Sequence, residues 1–249
     1  MLDSKERFSD RVDSYVKFRP TYPGEAVECL INRACVTGQT VIADIGSGTG
    51  KFTELLLSRG FKVYAVEPNQ NMRTAAEKEL SCYTGFYSAD GSAEQTSLHT
   101  NSVDLITVAQ AFHWFDRDSC KIEWQRILKP GGKTALIWNR RAKLGSDFMK
   151  EYEIIIKHFG NNPNFEHDGI DEKVFKVFFE KHDTFNFKWA QHFDFESLWG
   201  RAQSSSYSPS PGQPGYERLK QALLILFNKH QKDGLIDFEY TTEMTIGEL

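Results

Sequence analysis

No apolar run in this chain reaches the ~18–20 residues needed to span a bilayer. The opening Met1-Leu2-Asp3-Ser4-Lys5-Glu6-Arg7 is polar and lacks the apolar core of a secretion signal. Cysteine is scarce: Cys29, Cys35, Cys82 and Cys120 are widely spaced, with no Cys-x-x-Cys pair. That pattern suggests neither a disulfide scaffold nor a zinc site. His158, His167, His182, His192 and His230 show no metal-ligand spacing with nearby acids, so no metal is expected. The formal net charge is −4, and Lys and Arg are scattered rather than massed in a basic stripe. This argues against nucleic acid as a partner. There is no internal repeat and no long disordered linker. The expected setting is the cytoplasm, with no membrane attachment.

What the chain does have is an alternation of short apolar runs and amphipathic stretches. Its 249 residues, 40% hydrophobic, suffice for one large α/β domain or two small ones. Strands are expected over 40–45, 61–66, 84–88, 103–109 and 133–138. Helices are expected over 25–34, 50–59, 70–80 and 118–128, the last stopping at Lys129-Pro130-Gly131-Gly132. Strands alternating with helices imply a parallel sheet covered on both faces. Beyond Asn139 the rhythm changes. Helices are expected over 145–159, 171–181, 195–202 and 216–232, with strands over 182–193 and 238–245. Residues 204–215, rich in Ser, Pro and Gly, read as a surface loop. A further helix-like stretch, 8–18, precedes the extended turn Arg19-Pro20-Thr21-Tyr22-Pro23-Gly24.

The chemistry concentrates where the first strand ends. Gly46, Gly48 and Gly50 follow that strand and open a helix, so the backbone can take positive φ and a ligand can approach it closely. Glu67 ends the second strand about 20 residues on, where nucleotide-binding folds keep the acid that pairs with ribose hydroxyls. The third glycine comes one residue earlier than in the dinucleotide fingerprint G-x-G-x-x-G, and Lys51 follows it. Asp44, two residues before the first glycine, is placed to meet an ammonium group or to cap the loop.

These segments resemble a known family. Ala43-Asp44-Ile45-Gly46-Ser47-Gly48-Thr49-Gly50 is similar to the first motif of class I S-adenosylmethionine-dependent methyltransferases. Ala65-Val66-Glu67-Pro68-Asn69 resembles their acidic motif, and Leu128-Lys129-Pro130-Gly131-Gly132 the turn before their fifth strand. Tyr15-Val16-Lys17-Phe18-Arg19-Pro20-Thr21-Tyr22-Pro23 and Val108-Ala109-Gln110-Ala111-Phe112-His113-Trp114-Phe115 resemble the small-molecule branch that includes trans-aconitate methyltransferases. The match is good over roughly residues 5–140.

The resemblance implies a Rossmann-like, doubly wound α/β fold. Its seven-stranded sheet would be mostly parallel, in the order 3-2-1-4-5-7-6, with strand 7 antiparallel. One domain would span 1–249: a cap at 1–35, a cofactor-binding core at 36–140, helical cover at 141–181 and 195–233, and final strands at 182–193 and 237–246. The cofactor implied is S-adenosylmethionine, leaving as S-adenosylhomocysteine. Asp44, Gly46, Ser47, Gly48 and Gly50 would line its methionine end. Glu67 would bind the ribose, with Pro68, Asn69 and Met72 beside the adenine. Asp90-Gly91-Ser92-Ala93-Glu94 would close over the adenine, Asp90 facing its amino group and Ala93 offering an amide. Gln110 and Ala111 would lie under the sulfonium. Tyr15 and Arg19 would fold over from the N-terminal segment, Arg19 toward the cofactor carboxylate.

Methyl transfer from a sulfonium is an in-line displacement, so the enzyme mainly has to align the reacting atoms. His113, just after strand four, is the candidate base, or else a ring packed among Phe112, Trp114 and Phe115. Trp114, Phe115 and Trp138 are candidate lid residues over a small-molecule acceptor. Arg140 and Arg141 are candidate anchors for an acceptor carboxylate, which points to carboxylate O-methylation. Two other readings stay open. One is an NAD-dependent oxidoreductase, against which the early third glycine speaks, as does the lack of a recognisable Tyr-x-x-x-Lys catalytic pair. The other is a non-catalytic protein that keeps the cofactor fold as an interaction scaffold.

Overall fold

The computed structural model describes residues 20–35, 37–159, 172–205 and 208–249. The expected stretch 8–18, Tyr15, Arg19 and the loop at 161–164 lie outside the described residues. The first half of the chain forms α1 (Gly24–Arg33), β1 (Val41–Ile45), α2 (Lys51–Leu57), β2 (Lys62–Val66), α3 (Gln70–Leu80), β3 (Phe86–Ala89) and β4 (Val103–Ala109). Then come α4 (Arg117–Ile127), β5 (Leu128–Arg141), α5 (Asp147–Phe159), α6 (Glu172–Phe178), β6 (Lys181–Phe193), α7 (Phe195–Gln203), α8 (Tyr216–His230) and β7 (Ile236–Glu248).

The seven strands form one sheet in the order β3-β2-β1-β4-β5-β7-β6. β1 to β5 run parallel, while β7 is antiparallel to both β5 and β6. The order reverses between β1 and β4, so their carboxyl ends diverge into a crevice, the place where open α/β sheets hold ligands.

Apolar side chains on alternate sides of the strands build two cores. On one side Leu30 of α1, Leu56 of α2, Ile42, Leu105 and Ile137 pack together. On the other, Ile45, Ile106 and Leu136 meet Trp124 of α4 and Phe178 of α6. Val103–Ala109 is apolar on both sides because β4 lies between β1 and β5, covered above and below. A fully buried Leu or Ile stabilises by about 1.5–3 kcal/mol. A third cluster, with Phe148, Tyr152, Leu223, Phe238 and Tyr240, joins α5 and α8 to β7.

Three details differ from expectation. β5 begins at Leu128 and continues to Arg141, past the expected end at 138, because the antiparallel ladder to β7 runs on through Arg141 and Tyr240. Arg140 and Arg141 are therefore strand residues rather than the start of a loop. Further, Phe112–Trp114 forms a short 3-10 turn in a stretch to which the sequence assigns no element. Trp138, expected near an acceptor, is buried beside Phe112 and Phe175, with ring centroids 6.3 and 6.4 Å away. It belongs to the core because it alternates with Ile137 and so faces α4 and α6.

Candidate active site

β1 ends in the glycine turn. Gly46, Gly48 and Gly50 have φ of 67°, 58° and 83°, the left-handed region that suits glycine. The turn is anchored at its base by the Gly46 and Ser47 amides, which donate to the Val66 carbonyl at 2.9 and 3.2 Å. A β-carbon on Gly46 would stand 2.7 Å from that of Ala111. The loop after β1 thus presses directly on the loop after β4.

Against this turn lies an open pocket lined by Pro20, Tyr22, Asp44, Gly46, Ser47, Gly48, Thr49, Lys51, Phe52, Ala109 and Gln110. Five expected cofactor residues, Asp44, Gly46, Ser47, Gly48 and Gln110, meet here. Lys51, Thr49 and Phe52 were missed as contacts. The signal available was position: Lys51 heads the helix that the turn opens.

Asp44 is buried, and its two oxygens accept hydrogen bonds from the Thr53 and Thr107 hydroxyls at 2.6 and 2.9 Å. Burial nevertheless raises its pKa from 3.8 to about 6, with those two bonds acting in the opposite direction. An acid held at this cost invites a cation. Lys51, also in the wall, has its pKa lowered by burial and partly restored by Glu54 one turn on. Ser47 Oγ and Thr49 Oγ1 are buried and, among the described residues, have no hydrogen-bond partner. Thr49 is only 7% exposed. Buried hydroxyls are usually satisfied, so these two mark where a ligand's polar atoms would sit. An acid, a cation and two idle hydroxyls suit a zwitterionic amino-acid moiety, and the fit to the methionine end of S-adenosylmethionine is direct.

Glu67 is fastened at both oxygens. Oε2 accepts from the Gly48 amide at 2.9 Å and Oε1 from the Asn69 amide at 2.8 Å. Burial raises its pKa, opposed by those amides and by Arg73. Each oxygen keeps a second lone pair for a ribose hydroxyl. Asn69 caps α3, accepting from the Met72 amide at 3.1 Å, and Met72 is buried under the cap. Arg73 joins the two edges of this region: Nη1 donates to the Glu67 carbonyl at 2.8 Å, and Nη2 lies 3.1 Å from Asp90 Oδ2. Asp90 is thus engaged by an arginine that the sequence reading overlooked. Ser92 and Gln95 close a tight turn through paired main-chain bonds of 3.0 and 3.3 Å. Ala93 is buried, and its carbonyl accepts from Trp124 Nε1 at 2.9 Å.

Gln110 has φ of 63°, a strained conformation for a residue with a β-carbon, at about 1–2 kcal/mol. It is held by its amide on the Ile137 carbonyl at 2.9 Å and by its side chain on the Asn139 carbonyl at 3.2 Å. This kink turns the chain away from the sheet and leaves the ends of β1 and β4 open.

The proposed acceptor residues are less well gathered. His113 is half-buried, 4.7 Å from the Trp114 ring, and is not among the lining residues. Trp114 is 39% exposed. The Arg140 guanidinium lies 2.6 Å from Glu243, so its charge is already met within the sheet. Arg141 is paired with Glu153 at 2.5 Å. One Tyr-x-x-x-Lys spacing of the oxidoreductase kind does occur, Tyr216 to Lys220. Both pack on Trp199, and neither lines the pocket. Among the described residues no group of three or more His, Cys, Asp or Glu could hold a metal ion, and no helix is long and apolar enough to cross a membrane.

Comparison with known proteins agrees with this geometry. The methyltransferase domain family model matches residues 43–136, from the strand before the glycine turn into β5. An uncharacterized methyltransferase of Mycobacterium tuberculosis is 38% identical over 226 residues, covering 90% of this chain and 87% of the relative. One from Schizosaccharomyces pombe is 31% identical over 159 residues, covering 64% and 61%. Among solved structures, a proposed type II methyltransferase from Anaeromyxobacter dehalogenans superposes with a TM-score of 0.67 at 19% identity, covering 93% of this chain and 98% of that one. Phosphoethanolamine N-methyltransferase 2 of Haemonchus contortus, in complex with S-adenosyl-L-methionine, gives 0.55 at 18% identity, covering 100% and 59%. The chain belongs to the class I S-adenosylmethionine-dependent methyltransferase family.

Proposed function

We propose that the protein transfers the methyl group of S-adenosylmethionine to a small organic molecule, with a carboxylate oxygen as the acceptor atom. The observation that carries the cofactor part of this reading is the pairing of Asp44 and Lys51 in one pocket wall with the idle hydroxyls of Ser47 and Thr49. Bound there, the cofactor supplies a methyl group on a positively charged sulfur. Asp44 would hold its ammonium group and Lys51 its carboxylate. Glu67 would hold the ribose, and the Gln110–Ala111 kink would leave the methyl exposed at the end of β4. The remaining task is alignment.

A carboxylate acceptor is favoured because it is already ionised at neutral pH, and among the described residues that line the pocket there is no histidine to serve as base. His113 remains a candidate base for an acceptor that must lose a proton. With Arg140 committed to Glu243, an acceptor carboxylate would have to displace that partner or find another cation. The scatter of charge supports a small acceptor over nucleic acid. The resemblance of residues 15–23 to trans-aconitate methyltransferases, including Tyr15 and Arg19 at the cofactor, belongs to this proposal, as does a cytoplasmic setting.

Calorimetry with S-adenosylmethionine tests the cofactor reading, and a folded sample that binds none refutes it. NADH binding in place of S-adenosylhomocysteine would instead favour an oxidoreductase. A labelled-methyl screen over carboxylates, phenols and amines tests the acceptor, with Asp44→Ala losing turnover on every one. A scaffold protein would bind the cofactor and methylate none of them.

A further inference from the structure

Asn139 touches the pocket from two sides without lining it. Its main-chain carbonyl accepts from Gln110 Nε2 at 3.2 Å, and Gln110 is part of the wall. Its side-chain Nδ2 donates to the Thr21 carbonyl at 2.7 Å. Thr21 stands between Pro20 and Tyr22, which both line the pocket, and Tyr22 packs edge-on against Phe52 at 4.9 Å. On its other side, Asn139 Oδ1 accepts from the Thr242 hydroxyl at 2.6 Å. The Thr242 oxygen in turn accepts from Trp189 Nε1 at 2.8 Å.

One end of this chain of bonds fixes the amide. The Thr21 carbonyl only accepts, so the Asn139 NH2 must face it. That places the amide oxygen of Asn139 toward β7, where it takes the Thr242 proton while the Thr242 oxygen takes the Trp189 indole N–H. A flipped amide would set its oxygen against the Thr21 carbonyl and lose that bond. Trp189 on β6, through Thr242 on β7, backs the orientation of a side chain at the pocket rim. The three strands are adjacent, in the order β5-β7-β6.

We infer that Asn139 is a positioning residue. Its amide, set by the Thr21 carbonyl and backed by Thr242 and Trp189, clamps the Pro20–Tyr22 rim and so slows the escape of bound cofactor. This rests on the cofactor reading above. It assigns the antiparallel pair β6 and β7 a part in ligand retention, although none of their residues lines the pocket.

The test measures the affinity and dissociation rate of S-adenosylhomocysteine, with a urea midpoint for each protein. Asn139→Asp keeps the acceptor toward Thr242 but sets an oxygen against the Thr21 carbonyl. Its affinity should fall about 10-fold, chiefly through faster dissociation. Thr242→Val and Trp189→Phe remove the bonds that back the amide oxygen, and each should weaken binding about 3-fold. Thr242→Ser, which keeps the hydroxyl, should restore it. The clamp alone is overturned if wild type binds S-adenosylhomocysteine and Asn139→Asp binds within twofold of it. It is equally overturned if losses of affinity merely track the urea midpoints, with Thr242→Ser as weak as Thr242→Val. If wild type itself binds none, the cofactor reading falls and the clamp with it.

Discussion

The Gly48 amide donates to Glu67 Oε2 across 2.9 Å, and this bond ties the glycine turn after β1 to the end of β2. A single carboxylate thus shapes the turn and stands ready for a ribose. Glu67→Gln keeps the size but offers one acceptor where two amides need one. Hydrogen bonds to a charged group are worth about 1.5–3 kcal/mol. The variant should bind S-adenosylhomocysteine at least about 10-fold more weakly and melt several degrees lower, at roughly 2–4 °C per kcal/mol for a chain of this size. Calorimetry and thermal melts decide it. Wild-type affinity in the variant would mean that the tether does not shape the site.

Asp44 should give the ligand-free protein an unusual pH dependence. The unfolded carboxyl titrates near 3.8, the folded one near about 6. Between those values the folded state keeps a proton that the unfolded state has lost. Stability attributable to Asp44 therefore falls as pH rises from about 4 to about 6 and is level above, by about 3 kcal/mol in all. Asp44→Asn removes this slope. Urea denaturation of both proteins from pH 4.5 to 7.5 isolates the difference. The ligand acts in the opposite sense: an ammonium needs the ionised acid, so wild-type affinity should rise through the same window. Parallel stability curves for wild type and variant would sink this account.

The parts of the fold legible in the sequence are those where local pattern and tertiary demand agree. The bounds of β4 and α3 match because each is a clean apolar run or a capped amphipathic stretch. The end of β5 was not legible, since Asn139–Arg141 carry polar side chains and only pairing with β7 makes them strand. Likewise the glycine turn with Asp44 and Glu67 announces itself through spacing. Arg73 bridging to Asp90 does not, because the contact joins a helix side chain to the end of another strand. Trp138 reads from sequence alone as a lid residue, since aromatic residues at strand ends suit either role. The alternation with Ile137 decides for the core once the helices on each face are known.

Lys51 should act on one end of the ligand only. If it meets the amino-acid carboxylate, Lys51→Met should weaken S-adenosylhomocysteine by roughly 10-fold or more, the worth of a charge-assisted bond. It should leave 5′-methylthioadenosine, which lacks that carboxylate, within about twofold. Competition binding of both compounds to wild type and variant gives the four numbers needed. Equal losses for the two would place Lys51 in general packing of the pocket.

Gly46 and Gly48 have similar backbones but should fail differently when changed to alanine. Both pay for a β-carbon at positive φ, about 1–2 kcal/mol. At Gly46 the new carbon would also stand 2.7 Å from the Ala111 β-carbon and 2.9 Å from Phe115 Cζ. Ala111 cannot rotate that atom away, so the loops after β1 and β4 must separate. At Gly48 nothing lies within 4 Å, and the residue borders the pocket. Its methyl would occupy ligand space instead of protein space. Gly46→Ala should therefore show the larger fall in urea midpoint. Gly48→Ala should stay near the bare backbone penalty yet lose S-adenosylhomocysteine affinity about 10-fold or more. Equal stability losses with equal affinity losses would mean that the turn responds as one unit, and the division of labour between its first two glycines would be wrong.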